Sequence, residues 1–256
     1  MIKVKDLGKQ FGDKHVLRKI NFEVRDGETL VIIGSSGTGK SILLKNIIGL
    51  VKPTSGSVYI DGDNVTKSSP EELMKVHKKT GFVFQEAALF DSMTIFENVA
   101  FGLKTLTKMS EEEIKQRVAQ CLAMVGLENV EKLKPSELSG GMKKRAALAR
   151  AIAYQPKYIF YDEPTTGLDP IMSDVISDLI ISLKENLKVT SLVVTHDMKS
   201  AYKIADRIIM LYDGSVIFEG TPAQTKKTKN PVVKQFIEGS SKGPIRTERN
   251  FGMGGL

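Results

Sequence analysis

The chain has 256 residues and a mass of 28.2 kDa, which is enough for one or two domains with a large buried core. Hydrophobic residues make up 41% and charged residues 26% of the sequence, and these fractions exclude a largely disordered chain. The single cysteine, Cys121, excludes an internal disulfide bond and a cysteine-based zinc site. The N-terminal sequence lacks the apolar stretch of a signal peptide and no segment has roughly 18 consecutive apolar residues, so we expect a cytosolic chain without a membrane span.

The net charge is +7 at pH 7, and most of it lies near the C-terminus. Residues 226–256 contain seven lysines and arginines against two glutamates, which leaves the rest of the chain nearly neutral. A protein that binds nucleic acid over its whole surface spreads its positive charge more widely. The distribution therefore predicts a basic C-terminal extension and no nucleic-acid partner.

From residue 2 to about residue 59 the sequence is mainly strand-like, with turn signals at Gly12-Asp13 and Asp26-Gly27. The apolar run at residues 30–33 predicts a buried strand, and Gly34 ends it. Apolar residues at positions 42, 43, 44, 47 and 48 then predict the wide face of a buried helix. The expected order is strand, glycine-rich loop and helix.

Helical signals dominate from Ser69 to about Pro135. Ser69 and Ser110 are each followed by a glutamate three residues later, which is the pattern of a helix N-cap with a capping box. When the helix that starts at Ser139 is included, we predict an inserted helical subdomain at about residues 70–153.

Strands and helices alternate again in the last third of the chain. The predicted elements are a helix at 139–153, a strand at 158–161, a helix at about 171–187, a strand at 191–195, and a hairpin of strands 207–212 and 215–219 around Asp213-Gly214. This order favours an α/β fold with a parallel sheet. We place the main domain at residues 1–222 and the extension at 223–256, where an apolar stripe at residues 232, 233, 236 and 237 predicts a short helix.

The loop after the first buried strand carries a phosphate-binding pattern. It fits G-x-x-x-x-G-K-[ST] in the required place between a strand and a helix. Glycines let backbone N–H groups face phosphate oxygens, the lysine adds charge at the β and γ phosphates, and the hydroxyl binds Mg²⁺. The predicted ATP-binding residues are Gly34, Ser35, Ser36, Gly37, Thr38, Gly39, Lys40, Ser41 and Ile42, with Ser41 also a ligand of Mg²⁺.

A second apolar strand, Tyr158–Tyr161, ends in the carboxylates Asp162 and Glu163. Charge at the end of a buried strand is costly unless it is neutralised, and a metal ion can neutralise it. Asp162 is therefore predicted to hold Mg²⁺ together with Ser41. Glu163 is predicted to be the base that activates the attacking water.

A third element is a helix start without large side chains. Ser139 is followed by Gly140, Gly141 and Met142, so that the backbone N–H groups at the helix N-terminus are accessible to an anion. With the preceding leucine, this segment resembles the LSGGQ signature of ATP-binding cassette (ABC) proteins.

The resemblance to ABC proteins covers about residues 2–222 and includes the spacing between motifs. There are 45 residues from the loop lysine to Gln85, 23 from Ser139 to Asp162, and 33 from Glu163 to His196, as in the family. The resemblance implies a P-loop NTPase of ABC type, with a parallel-sheet core, an N-terminal antiparallel β subdomain and an inserted helical subdomain. It also implies an ATPase that works as a dimer.

Membership of this family implies roles for further residues. Phe11 would stack on adenine, Gln85 would touch Mg²⁺ and the transporter, Asp169 would reach the partner protomer, and His196 would sense the γ-phosphate. Each ATP would lie between the Lys40 loop of one protomer and the signature of the other, formed by Ser139, Gly140, Gly141 and Met142. Position 142 usually holds glutamine, and the methionine cannot make the amide hydrogen bonds of that side chain.

Residues 137–145, 88–100 and 235–244 resemble the ATPase subunit of Mla/Mce-type lipid transporters. This resemblance implies a peripheral homodimer at the cytoplasmic face of the inner membrane, with phospholipid as cargo. The implied partners are integral membrane permease subunits, a lipid-binding substrate subunit and an accessory protein. Gln85 and residues 88–100 would receive a permease helix, and residues after about Lys242 would reach the partner protomer or the permease. The alternative for the tail is a disordered basic end.

Two other classes share the nucleotide motifs. An ATPase of another importer or of a cell-division ABC complex is expected to have glutamine at position 142 and a different segment after Gln85. A soluble ABC protein that acts on nucleic acid is expected to have a second cassette or a long coiled-coil insertion, and neither is present in this sequence.

Overall fold

Strands of two sheets organise residues 1–245, the part of the chain that the computed structural model describes. The first sheet is antiparallel, and its strands in spatial order are β2 (Lys14–Val24), β1 (Ile2–Phe11), β4 (Ser55–Ile60) and β5 (Asp63–Asn64). The second sheet has, in spatial order, β10 (Ser215–Gly220), β9 (Arg207–Tyr212), β3 (Thr29–Ile33), β8 (Thr190–Thr195), β7 (Tyr158–Asp162) and β6 (Thr80–Val83). It is parallel except for the antiparallel β9–β10 hairpin.

Helices cover both faces of the parallel sheet. They are α1 (Lys40–Ile47), α2 (Pro70–His77), α3 (Ile95–Leu106), α4 (Glu111–Met124), α5 (Gly140–Ile152), α6 (Pro170–Leu187), α7 (Met198–Ile204), α8 (Pro222–Lys226) and α9 (Pro231–Glu238). Ser69 and Ser110 close capping boxes at the starts of α2 and α4, as predicted, and Thr94 does the same for α3. Among the described helices, none combines the length and the apolar character needed to cross a bilayer.

The central strands of the parallel sheet separate two hydrophobic cores. β3, β7 and β8 are buried along their whole length, and successive side chains point to opposite faces. On one face, Leu30 and Phe160 pack with α1 and the antiparallel sheet. On the other face, Val31 and Tyr161 pack with α3, α4, α5 and α6. The parallel sheet thereby joins the β subdomain to the helical part of the chain.

The structure differs from the sequence prediction in the segment predicted to be helical. β6 lies inside residues 70–153, and it pairs with β7 as the edge strand of the parallel sheet. Its four residues, Thr80-Gly81-Phe82-Val83, are too few to show an alternating pattern, and the strand forms because β7 offers it a partner. α7 was also absent from the predicted elements.

The C-terminal extension is partly packed on the main domain. The predicted helix is present as α9, and its Val233 is completely buried in the core next to the helical layer. The side chain of Gln235 bonds the backbone of Ser240 and Ile245, which holds the following loop against α9. Residues 246–256, which include most of the segment expected to contact a partner, lie outside the described residues.

One buried ion pair connects the start of β9 to the turn before β3. The Arg207 guanidinium donates two hydrogen bonds to Glu28, at 2.7 Å from Nε and 2.9 Å from Nη2, and Glu28 is 8% exposed. Burial raises the pKa of Glu28, but the hydrogen bonds from Arg207 and from the Arg25 N–H outweigh it and hold the pKa below 4.5. The pair therefore stabilises the fold while Glu28 is ionised.

We predict that Arg207→Ala lowers the free energy of unfolding by about 3 kcal/mol at pH 7, because it leaves the Glu28 carboxylate buried and unpaired. The measurement is urea denaturation. Lys3→Ala is the matched control, because its pair with Glu23 is exposed to solvent and contributes little to stability. Since the folded-state pKa of Glu28 is depressed, the difference between Arg207→Ala and the parent should shrink as the pH falls below 4.5. Equal losses in the two variants would contradict the prediction.

Candidate functional site

The glycine-rich loop joins the carboxyl end of β3 to the first turn of α1. An added Cβ at Gly34 would lie 2.4 Å from the Leu211 carbonyl oxygen, so a side chain does not fit there. Gly39 has φ +97° and packs beneath Val16, where an added Cβ would be 2.9 Å from Cγ1. The loop therefore takes a backbone path that requires glycine, and it delivers Lys40 to the N-terminus of the helix.

Lys40 is 5% exposed and its ammonium lies across the loop. Nζ donates to the carbonyl oxygens of Gly34 at 2.8 Å and Ser35 at 3.1 Å, and it lies 3.4 Å from Oε1 of Glu163. Burial lowers the pKa of Lys40 below 10.5, and the Glu163 carboxylate opposes that shift. The lysine charge is thus held at the loop, beside a carboxylate.

Ser41 and Asp162 form the oxygen pair expected of a Mg²⁺ site. The Ser41 hydroxyl donates to Oδ1 of Asp162 at 2.7 Å. Burial raises the pKa of Asp162 above 3.8, so its ionised form gains from a nearby cation. Residues 1–245 contain no cluster of three or more metal-ligating side chains. A hydroxyl and one carboxylate fit Mg²⁺, which takes hard oxygen ligands and shares its shell with phosphates and water.

Glu163 follows β7 in a left-handed conformation, φ +50°, and is 7% exposed. Its Oε2 lies 2.9 Å from Nδ1 of His196 and accepts a hydrogen bond from the Thr166 hydroxyl at 3.3 Å. The His196 side chain is half exposed. The carboxylate therefore lies between the ammonium group of Lys40 and the half-exposed imidazole of His196.

Most of these side chains line one cavity of about 420 Å³, whereas Asp162 and the loop residues Gly34, Ser35 and Thr38 do not line it. Its lining residues are Val16, Ser36, Gly37, Gly39, Lys40, Ser41, Ile42, Gln85, Glu163, Thr166 and His196. The predicted loop, Gln85, Glu163 and His196 are thus brought together from four separate parts of the sequence. Val16 and Thr166 were not predicted. Thr166 could have been predicted, because its hydroxyl follows the carboxylate pair by three residues. Val16 lines the cavity only because β2 runs next to the loop in the folded chain.

Other predicted site residues lie outside this cavity. Phe11 ends β1 with 48% of its surface exposed and with the Lys9 ammonium 4.5 Å from its ring centroid. Ser139 caps α5 by accepting the Met142 N–H at 3.3 Å, and Asp169 caps α6. An added Cβ at Gly141 would lie 2.6 Å from Cε of Met172 on α6, so the starts of α5 and α6 pack closely against each other.

A second cavity, of about 500 Å³, lies next to the Gln85 segment. Its lining residues are Ile48, Leu50, His77, Thr80, Phe82, Phe84, Ala88, Phe90, Phe101, Gly102, Thr105, Leu106, Arg150, Ala151 and Tyr154. Phe90 and Phe101 contribute exposed rings with centroids 5.0 Å apart, and Leu50 is 54% exposed. Asn98 is fully buried and shapes the wall, because it exchanges hydrogen bonds with both the N–H and the carbonyl of Phe90. We refer to this cavity as the apolar groove.

Comparisons with known proteins identify the family of this chain. The sequence profile described as ABC transporter matches residues 17–166. The chain is 44% identical over 246 residues to the intermembrane phospholipid transport system ATP-binding protein MlaF of Haemophilus influenzae, covering 96% of this chain and 93% of that protein. It is 44% identical over 263 residues to the chloroplastic protein TRIGALACTOSYLDIACYLGLYCEROL 3 of Arabidopsis thaliana, covering 96% and 76%.

Solved structures show the same architecture. The dimeric post-hydrolysis structure of the ATP-binding cassette MJ0796 bound to ADP and Pi superposes with a TM-score of 0.81 and 39% identity, covering 87% of this chain and 99% of that one. The α/β cassette fold and the ATPase activity expected from the sequence are thereby confirmed. The chain belongs to the ABC transporter family, as one of its ATP-hydrolysing subunits.

Proposed function

We propose that this ATPase drives the movement of phospholipid between the membranes of a cell envelope. The observation that carries the ATPase role is the single cavity where Lys40, Ser41, Glu163 and His196 meet. The phospholipid cargo is supported by the similarity to MlaF, which extends over nearly the whole length of both proteins. The subunit would bind peripherally at the cytoplasmic face of the inner membrane, through permease subunits that work with a lipid-binding subunit and an accessory protein.

In the proposed mechanism, loop N–H groups and Lys40 bind the β and γ phosphates of ATP. Ser41 and Asp162 would hold Mg²⁺, with Gln85 at the same cavity as a further oxygen ligand, and the ion would offset the phosphate charge. Glu163 accepts the proton of the attacking water. Its Oε1 edge faces Lys40 and its Oε2 edge faces His196, so these two contacts orient the base.

A dimer would complete the nucleotide site. The signature residues and Asp169 do not line the cavity of their own chain. Ser139, Gly140 and Asp169 are exposed at the adjoining starts of α5 and α6, and Gly141 is buried there next to Met172. We propose that this surface closes over the ATP of a partner protomer, with the Ser139 hydroxyl and the N–H groups of Gly140 and Gly141 as phosphate donors. Phe11 would stack on adenine at the edge of the site. The dimeric MJ0796 structure supports this arrangement.

The apolar groove would receive a helix of the permease. Its exposed aromatic rings offer apolar contact area, and it starts at the Gln85 segment, which also borders the nucleotide cavity. Motion at one cavity can therefore be passed to the other through a few residues of backbone.

We predict that Glu163→Gln keeps ATP affinity but slows hydrolysis by at least about 100-fold, because the amide cannot accept the proton of water. The closed dimer should then accumulate when ATP is added, and light scattering would detect it. Glu185→Gln, an exposed change on α6, is the control and should behave as the parent. A Glu163→Gln protein that stays monomeric and hydrolyses ATP at the normal rate would refute the assignment of the base.

We predict that Phe90→Asp reduces co-purification with the permease from detergent-solubilised membranes, while the Kd for ATP changes by less than about twofold, because a charge opposes burial in the groove. Met74→Asp is the control, because Met74 is 47% exposed and lies on α2 outside the groove, whereas Phe90 is 42% exposed. Equal loss of ATP affinity and of permease binding in Phe90→Asp would indicate misfolding and contradict the docking role.

The cargo is tested with the complete transporter. The complex purified with this chain should move a fluorescent phospholipid between vesicles when ATP is added, and the Glu163→Gln complex should not. A complex that instead carries a small solute with its permease would assign the chain to another class of importer. Recovery of nucleic acid without a permease would favour a soluble ABC protein.

A further inference from the structure

Lys144 is a buried lysine outside the residues so far assigned to the site. It lies on α5, five residues after Ser139, and is 6% exposed. Both of its hydrogen-bond acceptors are backbone carbonyls: that of Gln85, in a short contact, and that of Glu163 at 3.5 Å. One ammonium group therefore joins the signature helix to the nucleotide cavity at two points.

Stability alone does not explain a buried lysine at this position. Burying an ammonium group is costly, and hydrogen bonds to two carbonyl oxygens offset only part of that cost. The neighbouring positions of α5 that face the core carry Ala147 and Leu148, so the surroundings accept apolar side chains. Burial also lowers the pKa of Lys144, with the carboxylates of Glu86 and Glu163 opposing the shift. The charge therefore needs an explanation other than packing.

One of the two carbonyls that Lys144 contacts belongs to a residue in unusual backbone, and the other lies two residues before such backbone. Glu163 has φ +50°, a conformation that costs a non-glycine residue free energy and persists only where its surroundings hold it. Its N–H donates to the Val194 carbonyl at 2.9 Å on one side, and its carbonyl faces Lys144 on the other. The direction of the Glu163 carboxylate depends on this peptide orientation.

The Gln85 segment is held in the same way further along. Ala87 and Ala88 have φ +61° and +48°, and Arg150 of α5 donates to both of their carbonyls at 2.7 Å. Arg150 also lines the apolar groove. Two side chains of α5 thus hold residues 85–88 by hydrogen bonds. Arg150 contacts the part of this segment next to the apolar groove, and Lys144 contacts the part next to the nucleotide cavity.

We propose that Lys144 is a positioning residue for ATP hydrolysis, which ties the backbone of Gln85 to that of Glu163 and keeps the Glu163 carboxylate between Lys40 and His196. The inference rests on the proposed role of Glu163 as the base. Lys144 does not touch nucleotide in this arrangement. Its loss should therefore change the rate of the chemical step more than the affinity for ATP.

The test compares three variants of the full chain. Lys144→Met removes the charge at similar volume, Lys144→Arg keeps the charge and the donors, and Lys143→Met is the control at the neighbouring, partly exposed position. Steady-state ATP hydrolysis gives kcat and KM, and urea denaturation gives the stability of each protein.

We expect Lys144→Met to lower kcat by about ten- to a hundredfold with KM changed less than about twofold, because misplacing a catalytic group costs rate. Its resistance to urea should stay close to that of the parent, because the lost hydrogen bond to the Gln85 carbonyl is offset by the removal of a buried charge. Lys144→Arg should restore most of kcat, and Lys143→Met should match the parent. An unchanged kcat in Lys144→Met, or a kcat loss that follows a loss of stability, would overturn the proposal.

The Glu163→Gln variant separates this inference from the proposed function. If Glu163→Gln stalls hydrolysis while Lys144→Met does not, the role of Lys144 is wrong and the base assignment stands. If Glu163→Gln hydrolyses ATP normally, the assignment of the base is wrong, and the positioning role falls with it.

Discussion

The carboxyl ends of β3, β7 and β8 lie side by side because the three strands are hydrogen-bonded in parallel. Ile33 pairs with Thr195 and Asp162 pairs with Val194, so the residues that follow each strand emerge at the same edge of the sheet. The phosphate loop, Glu163 and His196 are those residues. A slip of one residue in this register would turn the side chains of a strand to the opposite core, so two buried faces hold the register firmly.

Charged side chains are concentrated at this edge of the sheet, where Lys40, Asp162 and Glu163 are all buried, and each has a polar or charged partner. Lys40 lies between two loop carbonyls and Glu163, while Asp162 takes a hydrogen bond from Ser41. Burial shifts the pKa of both Lys40 and Asp162 toward the neutral form. In the proposed mechanism, ATP with its metal ion would bring complementary charges to this edge, so binding and catalysis would use groups that the fold has already desolvated and oriented.

α5 connects the parts of the molecule that act at a distance from each other. Its N-terminus carries the signature, its middle supplies Lys144 to the backbone near the nucleotide cavity, and Arg150 near its end shapes the apolar groove. A helix is stiff over this length, and three of the carbonyls that its side chains contact, those of Ala87, Ala88 and Glu163, belong to residues in left-handed backbone conformations. In the proposed coupling, displacement at the groove would reach Glu163 through this helix without rearrangement of the sheet.

The sequence by itself determined the chemistry that depends on local order: the glycine loop with Lys40 and Ser41, the strand that ends in Asp162 and Glu163, and the capped helix at Ser139. These motifs can be recognised in the sequence because each one needs particular residue types at neighbouring positions. The sequence did not reveal β6, whose four residues become a strand only beside β7, nor the contributions of Val16 and Lys144. Those features depend on contacts between residues far apart in the chain, and no local pattern encodes which distant backbone a side chain will meet once the sheet has closed.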